Sequence, residues 1–156
     1  MTPAITKVRG DISKLFAGYI QRDRAMQGFL NKNVVEFYRN VQRKRWITEN
    51  QSEGRVWERL NPKYAERKRK VWRDAPGGGS KMLIASGALQ ESVIGPGKGF
   101  YKVATPRQLV IGTSVKYAPY VDEARTFTEF SNVTRKELGS MIAKFLFFNE
   151  IRTYTK

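Results

Sequence analysis

Apolar residues recur at helical spacing over the first quarter of the chain. Ile5, Val8, Ile12, Leu15, Phe16 and Tyr19 form one stripe, and Met26, Leu30, Val34, Phe37 and Val41 form another. The spacing predicts helix from Ala4 to Val41, with Pro3 placed where a first turn needs no N–H. Gly28 leaves open one long helix or two with a break near Arg24 to Gly28. Lys7, Arg9, Lys14, Arg22, Arg24 and Lys32 lie between the stripes, so one face is solvated and basic. The expectation is a helix packed on a sheet with its charges outward.

Arg43-Lys44-Arg45 closes this region, and the polar segment Thr48 to Gly54 predicts a loop. Asn61 directly before Pro62 is an N-cap followed by a first-turn proline, which predicts a helix to about Arg73. Arg67, Lys68, Arg69 and Lys70 on that helix form a candidate surface for DNA or an acidic partner, because cations contact phosphates without reading sequence. Asp74 to Ser80 carries three consecutive glycines and predicts a mobile surface loop. It lacks the Gly-Lys-Ser/Thr ending of a phosphate-binding loop. Gly95 to Gly99 reads as a connection between strands.

The period then changes from helical to alternating. Phe100 to Ala104 and Gln108 to Gly112 predict an antiparallel hairpin, with Ser92 to Ile94 a possible third strand. Tyr117 to Tyr120 leaves the sheet, and Pro119 with its flanking tyrosines is placed to pack over the sheet's end. Thr134 and Glu137 have the spacing of a capping box, with Val133 and Leu138 as a hydrophobic staple. Leu138, Met141, Ile142 and Phe145 make the buried stripe of the helix that follows. Phe145, Leu146, Phe147 and Phe148 are apolar on every side, more than one packing face can use; either this end is sandwiched inside the domain or, the reading preferred, it is a candidate subunit interface. Ile151 to Thr155 alternates as a short final strand would.

Composition narrows what such a chain can do. Its 156 residues, 40% of them hydrophobic, suffice for one domain, with a basic helical region over residues 1–48 and an α+β core over residues 55–156. The formal charge is +15, and residues 1–80 hold 18 Lys+Arg against 8 Asp+Glu, or 18 − 8 = +10. A polyanion or a strongly acidic protein surface is the partner such a balance selects. Without His or Cys there is no disulfide, no Cys/His zinc site and no His-dependent nucleophile. Asp122-Glu123 is the one adjacent acidic pair, and a loop pair of this kind is ordinarily solvated surface. Neither a catalytic residue, nor a metal site, nor a cofactor is expected. No apolar run has the length of a membrane span and no signal-peptide core is visible, so a soluble, intracellularly made protein is expected.

Several of these positions also form an ordered set: Gly54, Trp57, Leu60, Pro62, Tyr64 and Lys68; then Leu83, Ser86, Gly87, Leu89 and Ser92; then Val110-Ile111-Gly112-Thr113 and Tyr117-Ala118. In this order and spacing the chain resembles the virion morphogenesis proteins of tailed phages, the tail-completion and neck proteins of the kind phage Mu carries. The resemblance covers roughly residues 50 to 130, and the chain departs from the family pattern where Pro119 to Arg125 lacks the usual His and Gly. It implies an α+β subunit, to which the residue pattern adds a long N-terminal helical region, a small antiparallel sheet and a C-terminal amphipathic helix; the basic N-terminal stretch is a second departure, being larger than the family's usual one. It further implies a structural, non-enzymatic part of a hexameric ring in the virion, assembled in the host cytoplasm. The implied partners are further copies of the chain, neighbouring neck, tail-tube or head-connector proteins, and non-specifically held DNA in the lumen; no membrane is involved. A free, sequence-independent nucleic-acid-binding accessory protein is the alternative that charge and interleaved aromatics support.

Overall fold

Helical periodicity in the first quarter of the chain produces a continuous rod that changes pitch partway along. In a computed structural model, which describes the backbone of residues 12–75, 77 and 79–154 and the side chains of 20–75, 77 and 79–147, α1 (Ile12–Phe29) passes without a break at Gly28 into one π turn, Leu30–Val34, and then α2 (Val35–Ile47). The Val35 N–H reaches Leu30 O, five residues back. The wider turn lets both Val34 and Val35 be buried, although adjacent residues of a regular helix point about 100° apart. It marks the point where the rod leaves one core and enters the other. Pro3, Ile5 and Val8, and the side chains of Ile12, Leu15, Phe16, Tyr19 and Phe148, lie outside the described residues.

The rod ends where Thr48 turns back on it, its Oγ1 donating to Lys44 O at 2.8 Å. Glu49 and Asn50 take left-handed backbone angles, a short 3₁₀ turn (Gln51–Glu53) follows, and Gly54 at φ +82 completes the reversal. The Trp57 N–H then donates to Glu49 O at 2.9 Å, which returns the chain to the rod and sets Trp57 edge-on to Trp46, ring centroids 5.3 Å apart. α3 (Pro62–Val71) begins as its sequence predicts: Asn61 Oδ1 accepts from the Lys63 N–H at 3.0 Å and Pro62 occupies the first turn. α4 (Ala88–Ile94) starts after Gly87 at φ +86 and ends at Gly95. Ser92 to Ile94, read from sequence as a possible third strand, is therefore the last turn of a short helix bounded by two glycines. Gly95 to Gly99 joins that helix to a strand.

β1 (Phe100–Ala104) and β2 (Leu109–Thr113) pair antiparallel with Lys102 opposite Ile111 and Val103 opposite Val110. This is the two-stranded sheet of an α+β fold. α5 (Ala118–Ala124) follows; of its leading residues only Ala118 is buried, while Tyr117 and Tyr120 are exposed rather than packed over the sheet's end. α6 (Asn132–Tyr154) is the long C-terminal helix. Its cap is Ser131, not Thr134: Ser131 Oγ accepts from the Thr134 N–H at 3.2 Å, while Thr134 lies inside the helix, buried, and Val133 is exposed instead of stapled. Helix also covers Ile151 to Tyr154, where a final strand was predicted; Thr155 lies outside the described residues.

Two cores hold these elements. The larger gathers Trp46, Trp57, Met82, Ile84, Leu89, Val93, Ala118 and Phe127. The smaller is where α6 meets the rod and β2: Phe29, Leu30 and Val34 pack with Leu109, Leu138, Met141, Ile142 and Phe145, and Phe29 stacks on Phe145 at 4.0 Å between centroids. The stripe predicted for α6 is thus the one it uses.

Candidate docking surfaces

The basic helix divides into an outward and an inward part. Arg67, Arg69 and Lys70 are exposed, and Lys63, Arg67 and Lys70, at i, i+4 and i+7, share a face. Lys70 Nζ pairs with Glu66 at 2.9 Å, one turn back. Lys68, read from sequence as part of this surface, is 4% exposed, and its Nζ donates to Lys81 O. Burial holds its ammonium below the ordinary lysine range; Glu49 opposes that shift and Arg125 adds to it. The physical reason for the burial is the segment after α3, which crosses back over the helix. Gly79, at φ +67, lies so close that an added Cβ would sit 2.6 Å from Arg69 Cα and 2.8 Å from Lys68 O. Gly77 and Gly79 are consequently buried, where a surface loop was predicted.

The ordered motif residues converge on structure. Trp57 and Leu89 are in the larger core, with Leu60 and Leu83 packed against it. Ser92 is fully buried, its Oγ donating to Leu89 O at 2.8 Å and lying 2.7 Å from Thr113 Oγ1, which fastens α4 to β2. Gly54 and Gly87 have positive φ, Pro62 opens α3, and Ser86 Oγ accepts from the Ala88 N–H at 3.4 Å. Gly112 faces Tyr101 across the hairpin, and Ala118 is buried. Tyr64, Val110 and Tyr117 are the members of this set with large exposed hydrophobic side chains.

A buried polar clasp had no signal in the sequence. Arg45, written into a basic run, is fully buried beneath the segment that precedes α6. Its guanidinium donates to Phe127 O and Glu129 O and lies 3.5 Å from the Glu53 carboxylate. Glu53 in turn accepts from the Ser131 N–H at 2.7 Å and from Thr134 Oγ1 at 2.9 Å, and Gln42 Nε2 donates to Phe127 O at 3.1 Å. Burial lowers the Arg45 pKa, with Glu53 as the main opposing influence. Nearby Tyr38 is pushed up to about 12, chiefly by burial with a smaller push from Asp122, against the pull of Arg45 and Gln42.

Asp122 is likewise structural. Its carboxylate accepts from the Phe127 and Thr128 N–H groups at 2.7 and 3.0 Å and from Thr128 Oγ1 at 2.7 Å, while Glu123 is exposed. Among the described residues no acidic group of three is placed to hold a metal ion. An open cleft of about 370 Å³ beside the clasp is lined by Arg55 and Arg135 but also by Glu53 and Glu129, so it presents no single charge.

Exposed apolar side chains include those at the two places the sequence makes candidates for docking, the hairpin and the end of α6. The outer face of the hairpin carries Tyr101, Val103 and Val110, 52%, 42% and 38% exposed. At the far end of α6, Leu146 and Phe147 are exposed while Phe145 turns inward onto Phe29. No helix among the described residues is long and apolar enough to cross a membrane. No protein-family model, no curated protein and no solved structure matches the chain.

Proposed function

We propose that the protein is a structural subunit of a tailed-phage neck, completing the tail and joining it to the head as one member of a hexameric ring. The observation that carries this reading is the convergence of the ordered motif on framework roles. Trp57, Leu60, Leu83, Leu89 and Ser92 hold a core together, and Gly54, Pro62 and Gly87 shape its turns. The charged and polar groups nearest to chemistry, Glu53, Asp122 and Lys68, are each engaged by backbone groups of their own chain. The outward groups include cations on α3 and apolar side chains on the hairpin and at the end of α6, which suits docking to neighbours and weak contact with passing DNA.

Native mass spectrometry at low and high salt, together with a protein inventory of purified virions, tests the proposal. A closed oligomer and presence in the virion are expected; a strict monomer that is absent from virions would overturn it. The second reading, a sequence-independent nucleic-acid-binding accessory protein, draws on the outward face of Lys63, Arg67 and Lys70. Tight binding of isolated monomer to short duplex DNA near physiological salt would favour it.

A further inference from the structure

The two edges of the hairpin are not alike. The Thr105 N–H donates to Gln108 O and the Ser114 N–H to Gly99 O, at opposite ends of the ladder. Antiparallel pairing alternates, so Tyr101 and Val103 exchange bonds with Gly112 and Val110. The N–H and C=O groups of Phe100, Lys102 and Ala104 therefore point off one edge, and those of Leu109, Ile111 and Thr113 off the other. The β1 edge is guarded: Gln27 Nε2 donates to Ala104 O at 2.8 Å, the Phe100 N–H donates to Gly97 O at 3.2 Å, and Lys102 places a charge at its centre. The β2 edge has neither charge nor proline from Gln108 to Val115. Among the described residues, no hydrogen bond engages the outward backbone groups of Leu109, Ile111 or Thr113. Edges left in this state are templates for another strand.

We propose that this edge pairs with the same edge of a second copy, antiparallel, about a two-fold axis at Ile111. The register follows from which groups point outward. With Ile111 facing Ile111, Leu109 faces Thr113 of the other copy, and every outward N–H and C=O of the strand finds a partner. No other antiparallel register does this, since a shift in either direction leaves one outward residue at each end without a mate. A copy of the chain suits the edge because the same outward triplet on both sides makes it self-complementary. Pairing turns a two-stranded ribbon, marginal by itself, into a four-stranded sheet, and joins the two outer faces of Tyr101, Val103 and Val110 into one. The contact is isologous, unlike the head-to-tail contacts of a ring, so it describes the protein before it meets its neighbours and stands or falls independently of the neck reading.

The register supplies its own test, because the chain has no cysteine. Val110 of one copy faces Gly112 of the other in a non-hydrogen-bonded pair, with Cα atoms ~4.5 Å apart, within reach of a disulfide. Val110 faces its own counterpart only across a diagonal of roughly 7–8 Å, beyond that reach. Both sites are tolerant: Val110 is exposed, and a Cβ at Gly112 would meet Tyr101 Cδ1 at an ordinary 4.0 Å. Mild oxidation of an equimolar mixture of Val110→Cys and Gly112→Cys should give several-fold more cross-linked dimer than either variant alone. The yield should rise with salt, since both partners carry +15 and their repulsion is screened. In sedimentation of full-length cysteine-free protein, the wild type should gain mass with concentration and Val110→Lys should not. Absence of cross-linking in the mixture, or equal cross-linking in the mixture and the single variants, would overturn the proposal, as would a Val110→Lys variant that associates like the wild type.

Discussion

Glu53→Ala probes the clasp beneath the segment leading into α6. The substitution removes the carboxylate 3.5 Å from a fully buried guanidinium, together with the acceptor for the Ser131 N–H and the Thr134 hydroxyl. Removing one partner of a buried ion pair costs ~3–5 kcal/mol, most of it the desolvated charge left behind. Arg45 keeps its bonds to Phe127 O and Glu129 O, so the loss should fall near the lower end, about 3 kcal/mol. For a chain of this size that is roughly 6–12 °C in Tm, at ~2–4 °C per kcal/mol. Urea denaturation followed by tryptophan fluorescence is a suitable assay, since Trp46 and Trp57 are buried next to the clasp. Glu53→Gln should cost about half as much, because its amide oxygen still accepts from one of the two donors. A double cycle with Arg45→Met should give a coupling of ~1–3 kcal/mol. A loss below ~1 kcal/mol for Glu53→Ala, or additive single losses in the cycle, would refute the clasp as a stabilising unit.

Gly79→Ala should destabilise by more than ~2 kcal/mol, since positive φ and a 2.6 Å approach to Arg69 Cα act together, whereas Gly54→Ala, at φ +82 in open space, should cost only ~1–2 kcal/mol; chemical denaturation compares them. Tyr38, raised to about 12 from 10.0, contributes stability that is complete below pH 10 and lost as pH rises through 12, because the unfolded chain gives up the proton first. Wild type should therefore lose ~2–3 kcal/mol more than Tyr38→Phe between pH 9 and pH 12, and denaturation curves that stay parallel would contradict the burial of the phenol. Lys68→Met should leave heparin or DNA affinity within about twofold. Arg67→Glu with Lys70→Glu should weaken it severalfold and lower the salt slope by ~0.9 for each phosphate no longer neutralised, as read by a titration across salt concentrations.

Local signals made α3, the hairpin and the stripe of α6 legible. Asn61-Pro62 caps a helix through contacts within three residues, and the hairpin follows from β-branched runs joined by a short turn. What sequence could not place depends on contacts far along the chain. Ser131 and Thr134 are both hydroxyl residues at cap-compatible positions; the choice falls to Ser131 because Glu53, about 80 residues earlier, takes the Thr134 hydroxyl. Arg45 and Lys68 look like surface cations in any local window, and only the return of residues 127–129 and 79–81 buries them. Ser92 to Ile94 is too short for its period to separate strand from helix, and Gly87 and Gly95 decide the matter by ending the segment after barely two turns.

The burial of Arg45 and Lys68 changes what the net charge can be asked to explain. Both side chains end on backbone carbonyls inside the fold, so their charge is committed to folding, and neither can contact a phosphate without the segment above it opening. The outward field is carried by residues such as Lys63, Arg67 and Lys70 on one helix face, while the unguarded β2 edge is uncharged. These two surfaces therefore respond to salt with opposite signs. Screening weakens a cationic face meeting a polyanion and strengthens the pairing of two copies that each carry +15. On the proposed readings the same charge links the two contacts: DNA or an acidic neighbour that neutralised α3 would also reduce the repulsion between copies. A polyanion should thus promote association of the subunits even though it touches none of the residues that pair.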